Sequence, residues 1–303
     1  MLTLDIFGFR ALWSPYFFIV MLAILAVYFL LTVKYRQRFS GSTPLSAKQA
    51  ILFTSAIILV YAVKGSPVDL MSHITFYAHM IQMSILYLIV PPLLITAIPE
   101  WLWRKILAPA SIQKVFRFLT KPLIALILFN GIFSVYHIPL IFDAVKTNMW
   151  LHGGYTIMLF ILAGLMWWPL VNKLEEYESL NGLKKVGYIF ADGILLTPAC
   201  ALIIFADTPI YATFSDPRAW ADAMHLCVPS ATLASLNLSG PEMFNSMSAL
   251  NDQQLGGVLM KVFQEVVYGV VLAQVFFQWY KKEQQETEAE LKASRALDPQ
   301  IAE

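Results

Sequence analysis

The chain has 303 residues, 58% hydrophobic and 14% charged, with a mean hydropathy of +0.63 and a net charge of +1. That composition is too apolar for a soluble globular protein, and the long apolar runs argue against a sandwich or barrel. No P-loop, GxSxG or nucleophilic triad pattern points to an enzyme, and the cations lie between apolar runs rather than on a nucleic-acid face.

A bilayer core about 30 Å thick requires about 20 apolar residues at about 1.5 Å each. Seven runs meet or approach that length. The first, Ser14 to Val33, lacks a small-residue cleavage site and reads as a retained helix. Ala47 to Val63 is the second. The third, Leu70 to Ile98, is long, and Pro91 and Pro92 predict a kink or a tilted end. The fourth, Pro122 to His137, is short; it opens on a first-turn proline and offers Asn130 and Gly131 as helix-packing or polar contacts. Trp150 to Val171, Val186 to Ala206 and Leu255 to Tyr280 complete the set. The fold class is therefore all-α, a polytopic seven-transmembrane-helix bundle over residues 1–280 that includes an outer loop at 207–254. The polar tail at 281–303 lacks an apolar stripe and reads as solvated or frayed.

Basic residues set the predicted orientation. Of the 21 Lys and Arg, only Arg10, Lys64, Lys146, Arg218 and Lys261 lie outside the loops at 34–48, 104–121 and 173–185 and the tail. This places the N-terminus outside and the C-terminus in the cytoplasm. All five histidines, His73, His79, His137, His152 and His225, then fall on the external side, although histidine also favours interfaces as an amphipathic ring.

The segment "MSHITFYAHMIQM", residues 71–83, places two histidines and three methionines in one span. On a continuous helix, with His73 at zero, Met80 falls near about −20°, Met83 near about −80° and His79 near about −120°, with Gln82 pointing away. His73 and Met83 would be about 15 Å apart along the axis and His79 and Met83 about 6 Å apart, so the pattern reads as stations along a face. Imidazole with thioether suits Cu(I), whereas zinc prefers thiolate, imidazole and carboxylate and calcium prefers oxygen. The plainer reading is that these methionines fill helix interfaces and the histidines sit at the membrane boundary.

Remaining groups leave alternatives open. "MHLC", with His225 and Cys227, is a weak second metal candidate, and Cys200 with Cys227 reads either as a disulfide or as inert thiols. Lys261 and Glu265, one helical turn apart inside the seventh span, neutralise each other, or Glu265 handles protons or metal. Asp192 reads as interfacial. Asp69 and Asp143 either orient imidazoles or cap loops.

The blocks "SPVDLMSHITFYAHMIQMSILYLIVPPLLITAIP", "YHIPLIFDAVKTNMWLHGGYTIMLFILAGLMWWPL" and "DQQLGG" resemble the bacterial CtaG family of cytochrome c oxidase assembly factors, of the Bacillus type, from "FGFRALWSP" onward. The resemblance implies a seven-helix, multi-pass protein of the bacterial plasma membrane, needed to form active heme-copper oxidase. It further implies a role in supplying copper to the copper-B centre of subunit I. His79, Met80, His137 and His152 match recurring family positions; Met83 stands where many relatives have histidine in an "HMxQH" pattern, which keeps soft-metal capacity and makes an all-imidazole Cu(II) site less fitting.

The resulting expectation is a non-enzymatic metallochaperone. It takes copper, as Cu(I), at His73 and His225, holds it at His79, Met80 and Met83 with His137 and His152, and passes it to oxidase subunit I within the lipid bilayer. An extracytoplasmic copper chaperone as donor and a homo-oligomer are compatible with this expectation; nucleic acid is not a partner. The rival readings are a heme-binding membrane redox protein, in which paired imidazoles ligate heme, and a copper transporter.

Overall fold

A computed structural model describes residues 2–236 and 238–297, whose regular secondary structure is all helical, with no strand among them. Six helices are long and apolar enough to cross a membrane, and a bent pair brings the number to seven if it counts as one span. These apolar helices are those of a multi-pass membrane protein. The first, α1 (Pro15–Phe29), starts with proline at its first turn and continues as a π-turn to Lys34. The second, α2 (Ala47–Lys64), opens on a capping box in which Ser46 and Gln49 satisfy each other's backbone amides.

The third predicted span is broken. A short helix α3 (Pro67–Ile74) ends at Thr75, which is extended (φ −128°, ψ 142°), and α4 (Phe76–Ser84) starts afresh. A π-turn at Ile85–Ile89 leads into α5 (Val90–Ala97). Pro91 and Pro92 lack the amides that would bond four residues back, which frees the Tyr87 carbonyl. Trp167 Nε1 donates to that carbonyl at 2.9 Å, so a neighbouring helix supplies the missing partner.

The fourth span is the bent one. Helix α6 (Ala110–Leu119) meets α7 (Pro122–Tyr136) at 74°. The 15 residues of α7 advance only about 22 Å, short of a full crossing. A short helix α8 (Pro139–Lys146) then leads to α9 (Met149–Val171), and α10 (Gly182–Ile204) follows, each with an asparagine cap, Asn148 and Asn181.

The long connection between α10 and the last helix is not a loose one. It holds several short helices, chiefly α11 (Pro217–Met224), and a core of its own in which Trp220, Met224, Val228 and Phe244 pack on Leu70 and Ile74 of α3 and on Phe7 and Leu12. It therefore forms a lid over the His73 helix. The last helix, α12 (Ala249–Leu297), runs straight through most of the predicted tail, whose Glu, Gln, Lys and Ala residues are good helix formers. The tail that reads as solvated or frayed is thus helical to Leu297, with residues 281–292 exposed; positions 298–303 lie outside the described residues.

Helix ends and short helices at one end carry the histidines, together with the N-terminal segment, since the Tyr61 hydroxyl donates to Trp13 O at 2.7 Å beside the start of α1. The loops at the opposite end carry most cations, tied locally by pairs such as Arg104–Glu176 at 2.8 Å.

Candidate functional site

Thr75 decides the geometry of the histidine end. Because the chain is extended there, His73 belongs to α3 and His79 to α4, and the single face drawn from 73 to 83 on a continuous helix does not exist. The break is stabilised from outside. The Asp252 carboxylate, in the first turn of α12, accepts from Phe76 N at 2.7 Å and Tyr77 N at 3.1 Å, capping α4 where Thr75 makes no side-chain cap.

The rest of the "DQQLGG" block clamps the neighbouring elements. Gln253 accepts from Ile210 N and donates to Ile203 O, and Gln254 donates to Ala206 O. At Gly256 a Cβ would come within 2.6 Å of Phe76 and 3.1 Å of Met80, so only glycine lets α12 lie this close to α4.

Four of the five histidines come together. His73 and His152 face each other edge to face with ring centroids 5.3 Å apart. His79 packs against Phe142 at 5.2 Å and Tyr136 at 6.0 Å, and it lies within electrostatic range of His73, His137 and His152. His137 stands at the end of α7, its Nδ1 2.8 Å from Phe133 O, which leaves Nε2 facing inward. Phe142 is the shared aromatic neighbour, 6.1 Å from the His137 ring. His73, His79 and His137 are at most 2% exposed.

Both ring nitrogens of His79 and of His152, and Nε2 of His137, are buried without a hydrogen-bond partner. Buried polar atoms normally have partners, because an unsatisfied one costs about 1–3 kcal/mol. Among the described residues no three His, Cys, Asp or Glu groups are gathered closely enough to hold one ion.

Sequence reading missed Lys146. Its side chain is fully buried, and Nζ donates to Ser72 O at 3.2 Å and lies 3.4 Å from His73 Nδ1. Burial pushes its pKa down to about 7; Lys64 adds to the effect, while Cys227 and Asp69 oppose it. The available signal was spacing, since Lys146 lies one turn beyond Phe142 on the buried face of α8. Gln82, expected to point away, joins the same polar chain: it donates to Asp69 Oδ1 and Val63 O and accepts from Ser72 Oγ.

Other expectations resolve differently. Met80 and Met83 are buried in the main core, Met80 against Gly256 and Phe76. His225 is exposed at the end of α11, 3.2 Å from Ser230 Oγ, and His73 is covered by the lid; the two do not form a common mouth. Cys200 and Cys227 are free, the first in the main core and the second within the lid's own core.

Burial pushes the Cys227 thiol up to about 12, which keeps it protonated and a poor ligand. Asp69 binds Lys64 at 2.6 Å, and Asp143 caps Ala212 and Thr213; neither touches an imidazole. Asp192 is not interfacial. It is 1% exposed and accepts from Asn130 Nδ2 at 2.6 Å and from the Tyr268 hydroxyl at 2.5 Å, joining α7, α10 and α12 inside the bundle. The intrahelical Lys261–Glu265 pair is present at 3.0 Å.

The family model described as cytochrome c oxidase caa3 assembly factor matches residues 26–282 of the chain. No curated protein and no solved structure matches it.

Proposed function

The chain belongs to the cytochrome c oxidase caa3 assembly factor family, and on that premise we propose that it carries Cu(I) to the copper-B centre of oxidase subunit I. The cargo enters from the extracytoplasmic side of a bacterial plasma membrane, where the excess of cations at the opposite end orients the histidines. The observation that carries this reading is the set of five partnerless imidazole nitrogens on His79, His137 and His152, buried beside the His73–His152 pair. A soft cation gives those nitrogens the partner that the chain withholds, and weak sites in sequence let the ion leave as well as enter.

Charge favours a monovalent cargo. Buried Lys146 touches His73, and its ammonium repels a divalent ion twice as strongly as Cu(I) at the same distance. Met80 and Met83 serve as a thioether reserve one helical step and one turn from His79, reached by rotation of side chains. No bond-making step on an organic substrate is required.

The deciding measurement is the heme and copper content of oxidase purified from cells that lack this protein. The expected result is oxidase with heme but depleted copper; fully assembled oxidase with normal copper refutes delivery. His79→Ala is expected to reproduce the deletion, and an unaltered oxidase would reduce His79 to a packing residue.

A further inference from the structure

Between them α10 and α12 leave a groove of about 290 Å³, lined by Gly193, Thr197, Lys261, Gln264, Glu265 and Gly269 among others. The two helices stay paired along their length, from Gln253 beside Ile203 to Trp279 beside Gly182. Glu265 lies about 18 Å along α12 from Gln253 and about 21 Å from Trp279, close to the middle of a bilayer.

At that depth its side chain is 65% exposed, among the exposed side chains of Val258, Val262 and Val266. A carboxylate held against acyl chains at mid-bilayer is costly, and such groups face a partner or a wet cavity. Lys261 does not satisfy it fully. The three donors of the ammonium are directed to Glu265 Oε1 at 3.0 Å, Thr197 Oγ1 at 3.3 Å and Gln264 Oε1 at 3.4 Å. The surface thus offers an unfilled acceptor and no spare donor. A second copy presenting the same patch would bring another acceptor, so the complement is a different chain.

We propose that this groove receives a transmembrane helix of the oxidase, which sets a hydrogen-bond donor, an amide, hydroxyl or cation, on Glu265 and packs its backbone near Gly269. The inference rests on the assembly role of the family and not on copper. Gly269 supplies a clean probe, because a Cβ there meets nothing within 4 Å and a larger side chain fills the groove without displacing the chain's own atoms.

The test uses the full-length protein in cells, with a photoreactive phenylalanine at Val262, irradiation, and mass spectrometry of the crosslinked band. The expected partner is a membrane subunit of the oxidase, and Gly269→Leu should lower its yield at least tenfold, with Glu265→Gln weakening it several-fold. Copper bound per purified chain should stay unchanged in both variants. A crosslink only to a second copy, no oxidase crosslink, or a yield indifferent to both substitutions would overturn the proposal. An unsubstituted protein that crosslinks to the oxidase but binds no copper would instead count against the copper reading and leave the groove assignment standing.

Discussion

Lys146 has no exposed surface, and its ammonium meets a carbonyl and an imidazole rather than a carboxylate. In sequence it was one more cation between two spans, because nothing local marks a lysine whose partner is 73 positions away. The histidines were more legible, since four of them do converge, whereas His225 at the end of α11 stays apart. Burial lowers the Lys146 pKa to about 7 in the folded protein, against about 10.4 when unfolded. Above about pH 7 the folded state therefore binds fewer protons than the unfolded state, and stability rises with pH; below it both states carry the charge and the full penalty remains. Cys227 acts oppositely above about pH 8.5, because its thiol is pushed up to about 12 and the folded state there holds the extra proton. Between about pH 7 and 8.5 the detergent-solubilised protein is expected to gain stability at up to about 1.4 kcal/mol per unit. Lys146→Met should flatten that slope. Melting curves across the window check this, and an equal slope in the variant would show that the lysine is not the group responsible.

Apolar runs located the spans to within a few residues, because length and hydropathy are local properties. They did not show the break at Thr75, because the residues from Leu70 onward look the same to a helical wheel whether or not the helix is continuous. The information that breaks it lies 176 residues away in Asp252, whose carboxylate holds the first two amides of α4. In the sequence "DQQLGG" stands out only as part of a resemblance; its physical content is a cap, two amide bridges and a close approach at Gly256. Removing the cap leaves two buried amides unpaired and loosens the turn that starts three residues before His79. Asp252→Ala is expected to lower stability by about 1–3 kcal/mol. It should also cut copper retention without touching an imidazole, while Asp252→Asn, which keeps an acceptor, should lose less of both. Chemical denaturation and copper content of the same preparations test the pair, and a fully stable Asp252→Ala protein would show that α4 starts at Phe76 without help.

The whole molecule differs from an open pocket at a membrane surface. A lid built from residues 205–236 and 238–248 covers α3, and the imidazoles beneath it are nearly inaccessible, so cargo entering from this end requires the lid to move. In the sequence this segment reads as a long loop, because helices of four to eight residues carry too little periodicity to stand out, and the aromatic residues that pack it are far apart in the chain. Trp220 is the main anchor, 1% exposed and packed with Phe244 at 6.2 Å over Leu70 and Ile74. A second anchor is Tyr211, whose hydroxyl donates to His137 O at 2.8 Å and whose ring stacks on Phe76 at 4.8 Å. Because Tyr211 and the α4 cap are independent of Trp220, weakening Trp220 opens the lid while the bundle stays formed. Truncating a buried tryptophan costs about 3–5 kcal/mol, and if most of that falls on the closed lid, opening becomes more than a hundredfold more frequent at about 1.4 kcal/mol per factor of ten. Trp220→Ala is therefore expected to accelerate modification of His73 by diethyl pyrocarbonate by at least tenfold in intact membranes, with the bundle's helical signal unchanged. Copper loading should speed up in parallel. Equal modification rates in the variant and the parent would mean that the imidazoles are reached from between the helices, and entry would then have to be lateral.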